Sequence, residues 1–313
     1  MPTRRSPSSS SSTSRARGRS RSPSPTSPPS SSPARTPPPA IAGRPGSSAR
    51  RRKRRSRRRP PGPARLGAIL VLAAVELEAR ALARALRLPR LKSFSFPAFG
   101  DARFRLAPVG LAASVLSARF SALLEGLEHP LVISAGVCGA LDPAVSCGSL
   151  ILPEMVIGPR GERYAAAVAH HRRHVAALSD RGMRFATGAL ATVAEVAATP
   201  GTKAKLREAT GAVAVDMESA LILRAAAEAG CPGLVLRGVS DDAEDSLSPE
   251  LAALVTAEGR VRKARAAATV LRQPAIVPKA LKLQRATQRA LATVADALQW
   301  SVDYRAAVEH EPR

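Results

Sequence analysis

The feature that most constrains the fold is a set of apolar runs that end abruptly in charged or glycine-rich residues. The runs "LGAILVLAAVELEA" (66–79), "HPLVISAGVCGAL" (129–141) and "CPGLVLRGVSDD" (231–242) lack polar alternation, which predicts strands buried on both faces. Segments with helical spacing, such as 112–127 and 221–229, separate them. Strands that alternate with helices predict an α/β domain. We expect three layers, α/β/α, around a central mixed, largely parallel sheet.

The charge distribution divides the chain into two parts. Residues 1–65 contain 17 Arg, one Lys and no acidic residue, or about +18 of the formal +24. This segment of Arg, Ser and Pro has too few large apolar side chains to form a core, so we predict a disordered basic tail. It could be an arm that binds nucleic acid or membrane, or an extension without function. Residues 66–313 suit one domain, whose part from about 251 to 313 reads as mostly helical.

Several classes of protein are disfavoured by the composition. No run of about 18 apolar residues is present, so no membrane-spanning helix is expected, and the lack of an apolar signal core favours the cytoplasm. Three cysteines at irregular spacing argue against a disulfide framework or a zinc site. His170 and His174 are four residues apart in "HHRRH", but arginines surround them and no acidic ligand is nearby. We therefore expect neither a metal nor a cofactor.

Potentially reactive residues lie where the predicted strands end. Glu78 follows the first run, "GVCGAL" (136–141) closes the second as a glycine-rich turn, and Asp241 ends the third. Met217 and Glu218 follow a shorter strand, "VAV". In open α/β sheets, ligands bind beyond the carboxyl ends of the strands, so these residues could converge. The alternative is structural: glutamates favour the first turn of a helix, and aspartates cap helices.

These stretches together resemble the purine nucleoside phosphorylase and nucleosidase superfamily. "ILVLAAVELEA", "VISAGVCGALDPAVSCGSLILPE" and "AVAVDMESALILRAAAEAGCPGLVLRGVSDDAED" are similar to its opening strand, its glycine turn and its block with Met-Glu and Ser-Asp. The resemblance covers roughly residues 66–250 and is strongest to methylthioadenosine/S-adenosylhomocysteine nucleosidases. The sequence from position 246 onward resembles hopanoid-associated members of the superfamily. This resemblance implies adenosylhopane as one candidate substrate, with release of adenine in hopanoid biosynthesis.

The resemblance implies a role for each site residue. Asp241 would be the general acid that protonates the leaving purine, and Glu78 the general base that activates water. Glu218 would accept hydrogen bonds from ribose hydroxyls, and Met217 would pack on the sugar. The remaining implied substrate-binding residues surround these four: Val137, Gly139, Val196 and Ser240. Asp216 is interpreted as structural, a cap at the strand-to-helix junction.

Two other functions remain open from the sequence. A phosphorylase must hold an anion, and the phosphorylases that the chain resembles have an arginine before the glycine turn and a serine within it. This chain has Ser134 and Val137 at those places, and Glu78 would repel the anion. Water is therefore favoured over phosphate as the nucleophile. A non-catalytic protein that binds nucleosides, or nucleic acid through the tail, is the second alternative. Related enzymes are commonly dimers or larger, so a homo-oligomer is expected.

The C-terminal segment could bear on the location of the protein. In 279–298, Leu283, Ala290, Val294 and Leu298 share one helical face, and Lys282, Arg285 and Arg289 share another. This pattern indicates either a packed surface helix or an amphipathic helix that lies on anionic lipid. The second interpretation predicts peripheral membrane contact.

Overall fold

The computed structural model of the chain describes residues 67–247 and 276–309, with side chains to 303 at the C-terminal end. The tail 1–65 and the segment 248–275 lie outside the described residues, so the predictions for them, and the domain boundary at 65, remain predictions. Eleven strands, β1 to β11, form one sheet: Ile69–Ala73, Phe99–Gly100, Phe104–Pro108, Leu131–Ala140, Leu150–Ile151, Met155–Ile157, Arg163–Ala165, Phe185–Ala186, Ala189–Thr192, Ala214–Asp216 and Gly233–Asp241.

Helices connect and cover these strands. Six α-helices, α1 to α6, lie in the described parts of the chain: Glu76–Ala85, Leu116–Leu124, Val168–Asp180, Pro200–Thr210, Ser219–Glu228 and Ile276–Glu309. A short 3₁₀ turn lies at Leu111–Ala113. α4 begins with Thr199 as its N-cap, since the Thr199 hydroxyl accepts a hydrogen bond from the backbone of Thr202, and it ends at Gly211 in the left-handed conformation. Among the described helices, none has the continuous apolar length that a membrane span requires.

The sheet is mixed but largely parallel, as predicted. Strands β2-β3-β1-β4-β10-β9-β6-β7 follow one another, while β11 pairs with β4 and β5, and β5 with β8. β1 is parallel to both β3 and β4, and β11 is parallel to β4. Because β4 is ten residues long, its first half pairs with β1 and its end pairs antiparallel with β10. β4 therefore brings the carboxyl ends of β1, β10 and β11 together.

Helices cover both faces of the sheet, which gives the predicted α/β/α layers. Alternate residues of β1 point to opposite sides. Ile69, Val71 and Ala73 join a core with residues of α1, α3 and α6, whereas Leu70 and Leu72 join a second core with residues of α2 and α5. All five are buried. A strand buried on both faces has no position for a polar side chain, which explains the continuous apolar run in the sequence.

The expected glycine-rich turn at 136–141 is wrong in its local structure. β4 continues through Gly136, Val137, Cys138 and Gly139 to Ala140, and β11 pairs with it as far as Gly139. Glycine does not mark a turn here, because both glycines lie in strand and make room for side chains of other elements. Those close approaches belong to the site described below.

The C-terminal helix α6 packs directly on β11. Gly238 allows this contact, because a Cβ at that position would lie 2.3 Å from the carbonyl oxygen of Ala290. Ala290, Val294 and Leu298 are fully buried, as the shared apolar face predicts. The basic side chains Lys282, Arg285 and Arg289 are exposed. α6 is therefore a packed helix with a basic outer face.

A buried histidine joins α3 to α6. Nδ1 of His174 donates to the carbonyl of His170 at 2.8 Å, so Nε2 accepts from the Ser301 hydroxyl at 2.8 Å. The ring also meets Trp300 edge-on, with centroids 4.6 Å apart. Burial lowers the pKa of His174 to about 4, against the opposing effect of the bond to His170. The neutral ring is thus part of the helix contact.

We expect the His174 contact to lose stability in acid. The pKa of His174 is lower in the folded chain than its value of about 6.5 in the unfolded chain, so the loss begins as the pH falls below about 6.5 and reaches about 3 kcal/mol near pH 4. Urea unfolding of wild type and His174→Gln at several pH values measures this contribution as a difference. The exposed His129→Asn variant is the control. Equal pH dependence in wild type and His174→Gln would contradict the expectation.

Candidate active site

A cavity of about 250 Å³ lies at the carboxyl ends of β1, β4, β10 and β11. The structure brings all eight sequence-predicted site residues to its lining: Glu78, Val137, Gly139, Val196, Met217, Glu218, Ser240 and Asp241. They come from five separate stretches of the chain. The rest of the described lining is mainly apolar and includes Leu111, Val193, Ala197 and Leu247. The cavity therefore combines apolar walls with a few acidic groups.

Glu78 turns back from the first turn of α1 into the cavity. Its Oε2 accepts from the backbone N–H groups of Ala74 at 3.0 Å and Val75 at 3.3 Å, and its Oε1 accepts from that of Val137 at 3.0 Å. Glu78 is 3 % exposed, and burial raises the pKa of its carboxyl despite the opposing charge of Arg237. Glu76 instead pairs with Arg80 on the outside of the helix. One glutamate thus has both predicted roles, helix start and cavity wall.

Arg237, which is not among the residues predicted from the sequence, is a fully buried cation next to these acids. Its Nη2 lies 2.8 Å from Oδ2 of Asp216 and 3.7 Å from Oε2 of Glu218. It also donates to the hydroxyls of Ser134 and Ser219. Burial alone would lower its pKa, but the carboxylates raise it, so the guanidinium stays charged. A signal was present: an arginine inside a strand buried on both faces requires buried counter-charges.

Asp216 and Glu218 serve different ends of the β10–α5 junction. Asp216 accepts from the Thr192 hydroxyl at 2.7 Å and from the backbone of Ser219 at 3.0 Å, which is the capping contact that the sequence predicted. Glu218 accepts from the backbone of Ala112 at 3.0 Å. Burial, with the nearby carboxylates, raises the pKa of Glu218 well above its usual range against the pull of Arg237. Glu218 therefore gains proton affinity at the cavity wall.

Ala112 holds its N–H toward Glu218 in a strained conformation. Its φ is 48° and its ψ 34°, in the left-handed region that non-glycine residues seldom occupy. Such a residue costs about 1–3 kcal/mol and is retained where its surroundings require it. The requirement here is the hydrogen bond to Glu218, 106 positions away in sequence.

Asp241 ends β11 at an irregularity in the strand pairing. Val239 pairs with Cys138 and Asp241 pairs with Gly139, so Ser240 is an extra residue on β11. In a regular strand, neighbouring side chains point to opposite faces, whereas a bulge changes that alternation. Ser240 and Asp241 consequently both line the cavity, and the Ser240 hydroxyl donates to Oδ1 of Asp241 at 2.8 Å.

Lys203 of α4 is the second residue missed from the sequence. Its Nζ lies 2.6 Å from Oδ2 of Asp241, and both side chains are buried. Lys203 also donates to the carbonyls of Asp242 and Asp245 in the loop after β11. In sequence, "GTKAKLREAT" presents Lys203 among other charged residues of a short helix, and nothing local marks it as the buried one. The contact arises from tertiary packing.

Two glycines of β4 allow the acids to approach the strand. A Cβ at Gly136 would lie 2.9 Å from Oε2 of Glu78 and 2.6 Å from Nη1 of Arg237. A Cβ at Gly139 would lie 2.8 Å from Oδ2 of Asp241. These distances are shorter than van der Waals contact, so side chains at either position would displace the charged groups.

Gly139→Ala is expected to displace Asp241 while the fold survives. Because Lys203 and Ser240 hold the Asp241 carboxyl in place, the carboxyl can yield only by leaving its position at the cavity wall. We expect any turnover at this site to fall by roughly 10- to 100-fold, the usual effect of misplacing a reacting group by about 1 Å. Turnover and melting temperature measured together test this. Gly201→Ala, where a Cβ meets nothing within 4 Å, is the matched control.

The described residues do not form a metal site. No group of three or more His, Cys, Asp or Glu side chains there has an arrangement that could hold a metal ion. Both ring nitrogens of His174 are occupied, one by the carbonyl of His170 and the other by the hydroxyl of Ser301.

Comparisons with known proteins agree with this architecture. The family model described as the phosphorylase superfamily matches residues 69–272. Among solved structures, the chain is similar to the 5′-methylthioadenosine/S-adenosylhomocysteine nucleosidase of Helicobacter pylori, here a mutant with 5′-methylthioadenosine in the active site (15 % identity, TM-score 0.57). It is also similar to the futalosine hydrolase of Helicobacter pylori (16 %, 0.56) and the S-adenosylhomocysteine nucleosidase of Streptococcus pyogenes (17 %, 0.56).

The structural matches extend over most of both partners. Each covers 76 % of this chain, and the three known proteins are covered over 98 %, 98 % and 96 % of their own lengths, in the order given. No curated protein matches the chain in sequence. At these identities the structural matches establish the fold alone.

Proposed function

Because the chain belongs to the phosphorylase superfamily, we propose that it is a nucleosidase, which hydrolyses the N-glycosidic bond of an adenosine-type nucleoside and releases adenine. One observation carries the proposal: two carboxyl groups that can act on a proton, Glu78 and Asp241, line one cavity and have different partners. Backbone N–H groups hold Glu78, while Lys203 and Ser240 hold Asp241. Hydrolysis of a glycosidic bond needs such a pair, one to activate water and one to protonate the leaving group.

Glu78 is proposed as the general base. A general base works best when its pKa is near the working pH. Burial raises the pKa of Glu78 from its usual acidic value toward that range. Its three backbone hydrogen bonds fix the carboxylate, so little rearrangement is needed during the reaction. The negative charge of Glu78 would also favour the positive charge that develops on the sugar.

Asp241 is proposed as the general acid, with Ser240 beside it. Adenine is a poor leaving group as an anion, so the ring must receive a proton as the bond to the sugar breaks. Gly139 has no side chain, so the carboxyl of Asp241 can lie against its backbone. Val196, which is 43 % exposed, borders the cavity where the purine would enter. Met217 and Glu218 would contact the ribose, Met217 by packing and Glu218 by hydrogen bonding. Val137 would form the wall between the two carboxyl groups.

Water is favoured over phosphate because the candidate phosphate partners are already engaged. The Arg237 guanidinium donates to the serines at 134 and 219 and pairs with Asp216. A phosphate next to it would meet the carboxylate of Glu78. Bound phosphate requires free donors and a positive surrounding, whereas the described lining has carboxylates and apolar side chains.

Full-length protein incubated with adenosine, 5′-methylthioadenosine, S-adenosylhomocysteine and adenosylhopane, with and without phosphate, tests the proposal. We expect adenine and a free sugar, at a rate that does not depend on phosphate. A phosphate-dependent rate with ribose 1-phosphate as product would establish the phosphorylase alternative. Failure to release adenine from any of them, with binding retained, would establish a non-catalytic nucleoside-binding protein. Binding of nucleic acid alone, lost when residues 1–65 are removed, would support the nucleic-acid alternative.

The proposal extends to the 5′ substituent of the nucleoside substrate and to peripheral contact of the protein with a membrane. Adenosylhopane carries a lipid-like group at that carbon, and the exposed basic residues of α6 would suit contact with anionic lipid. Flotation of full-length protein with vesicles that contain anionic lipid, beside the turnover panel, tests whether membrane contact and substrate preference go together. A homo-oligomer is part of the proposal and is measured by light scattering.

A further inference from the structure

Lys203 differs from the other lysines of the described chain in its surroundings. Its side chain is 1 % exposed, whereas Lys92, Lys205, Lys279 and Lys282 are exposed. Removing an ammonium from water costs several kcal/mol even after relaxation, so a buried lysine needs compensating partners. α4 directs this one toward the edge of the cavity where Asp241 lies.

The ammonium of Lys203 has three oxygen acceptors for its three hydrogens. Nζ donates to Oδ2 of Asp241 at 2.6 Å, to the carbonyl of Asp242, and to that of Asp245 at 3.3 Å. The other oxygen of Asp241 accepts from the Ser240 hydroxyl. Each oxygen of the carboxylate therefore has a donor within the protein, and the charged form of both partners is well supported.

This support raises a chemical question for the proposed reaction. A carboxylate that accepts hydrogen bonds has no proton to give, yet the proposed role of Asp241 is to protonate the leaving base. The Lys203–Asp241 pair contains one transferable proton wherever it resides, since ammonium with carboxylate and amine with carboxylic acid have the same composition. A structural role alone does not account for the pair well, because an apolar residue is often equally stable in place of a buried ion.

We propose that Lys203 is a positioning residue that supplies, through Asp241, the proton that the leaving base receives. The proposal rests on the nucleosidase function proposed above. Lys203 acts through Asp241 and does not itself contact the nucleoside. Its hydrogen bonds to the 242–245 loop aim Nζ at Asp241 Oδ2, so the proton can pass along an existing hydrogen bond.

The proton and electron balance of the step is complete with the groups present. As the bond from C1′ to the purine nitrogen breaks, its electron pair goes to the base. The Nζ proton of Lys203 passes along its hydrogen bond to Oδ2 of Asp241, and the Asp241 carboxyl passes one proton to the base, so the pair ends as carboxylate and neutral amine. Water attacks C1′ and gives its proton to Glu78. After the products leave, Glu78 loses that proton to solvent and Lys203 takes one up.

The charged and titratable groups around the pair are few and differ in behaviour. Two thiols face the pair: Cys138 lies on β4, and Cys147 lies in the 146–149 loop. The loop after β11 contributes the carboxyl groups of Asp242 and Asp245, and α6 contributes Lys282. Burial raises the pKa of both thiols, so they stay neutral near neutral pH. The hydrogen bond from Lys282 lowers the pKa of Asp245. The thiols and the Asp245–Lys282 pair therefore keep constant charge through the neutral range.

The experiment compares full-length wild type with Lys203→Met, Lys203→Arg and the exposed control Lys205→Met, using the nucleoside that wild type cleaves fastest. We expect Lys203→Met to lose about 10²- to 10³-fold in kcat at pH 8 and to recover part of that loss as the pH falls, because the proton that Lys203 supplied must then come from solvent. KM should change little. Lys203→Arg keeps the charge but cannot release its proton, so its kcat should stay low throughout. Lys205→Met should match wild type.

A substrate whose leaving group needs no proton provides the second measurement. With 4-nitrophenyl riboside, we expect Lys203→Met to approach the wild-type kcat, which a merely misfolded site would not do. An equal loss at every pH and with both substrates, or full activity of Lys203→Arg, would overturn the proposal. If Lys203→Met fails to fold, Lys203→Arg with the two substrates decides alone. Wild type without any cleavage would instead refute the nucleosidase function itself, so the two failures are distinguishable.

Discussion

Asp241→Asn is expected to lower kcat for adenine release by about 10²- to 10⁴-fold, the range for removing a general acid. Asparagine fills the same space and can still accept from Ser240, but it carries no acidic proton. It also leaves the ammonium of Lys203 buried beside a neutral amide, since the partner at 2.6 Å is lost. Breaking a buried ion pair from one side costs about 3–5 kcal/mol, so the melting temperature should fall as well.

A double variant separates these two effects of Asp241→Asn. Combining it with Lys203→Met removes both charges, and we expect the free energy of unfolding to recover by part of the loss while kcat stays low. Asp296→Asn, on the exposed face of α6, is the matched control and should leave both quantities unchanged. Near-wild-type kcat in folded Asp241→Asn would exclude Asp241 as the acid.

Glu78→Gln is expected to lower kcat by a comparable factor, about 10²- to 10⁴-fold, because the side chain can no longer take a proton from water. The amide oxygen can keep the hydrogen bond from Val137. The amide NH₂ would then face the N–H groups of Ala74 and Val75, which now donate to Oε2. That conflict should cost about 1–3 kcal/mol of stability.

Steady-state kinetics and binding of the product adenine together test the role of Glu78. We expect adenine to bind Glu78→Gln nearly as tightly as wild type, since the proposed contacts of the base are on the Asp241 side. Glu76→Gln changes the neighbouring glutamate, which pairs with Arg80 on the outer side of α1, and should retain full turnover. Loss of activity in Glu76→Gln, or its retention in Glu78→Gln, would assign the base elsewhere.

The layered sheet and the residues of the cavity could be predicted because they follow local rules. Buried parallel strands require continuous apolar sequence, and charged residues at their carboxyl ends stand out against it. All eight residues that the family resemblance implied line one cavity. The structural and the functional interpretation of Glu78 are both correct in position, since the residue lies in the first turn of α1 and its side chain lines the cavity.

The parts that could not be predicted depend on contacts distant in sequence. Lys203 meets Asp241 across 38 positions, and no local pattern distinguishes it from Lys205. The glycines at 136 and 139 were interpreted as a turn because glycine permits turns, whereas in β4 they admit the side chains of Glu78 and Asp241. Arg237 was visible as a charge within an apolar strand, and the rule that a buried charge needs partners would have indicated its cluster with Asp216.

The contact of Gly238 with Ala290 has a consequence for the order of folding during synthesis. β11 is made well before α6, and one face of β11 packs against the buried face of α6 that includes Val294 and Leu298. Until the ribosome has released those residues, the strand that ends in Asp241 lacks its cover. We therefore expect a nascent chain stalled before residue 290 to be bound by chaperones that recognise exposed apolar segments, and to lack turnover. The completed chain should acquire stability and activity only after α6 has left the ribosome.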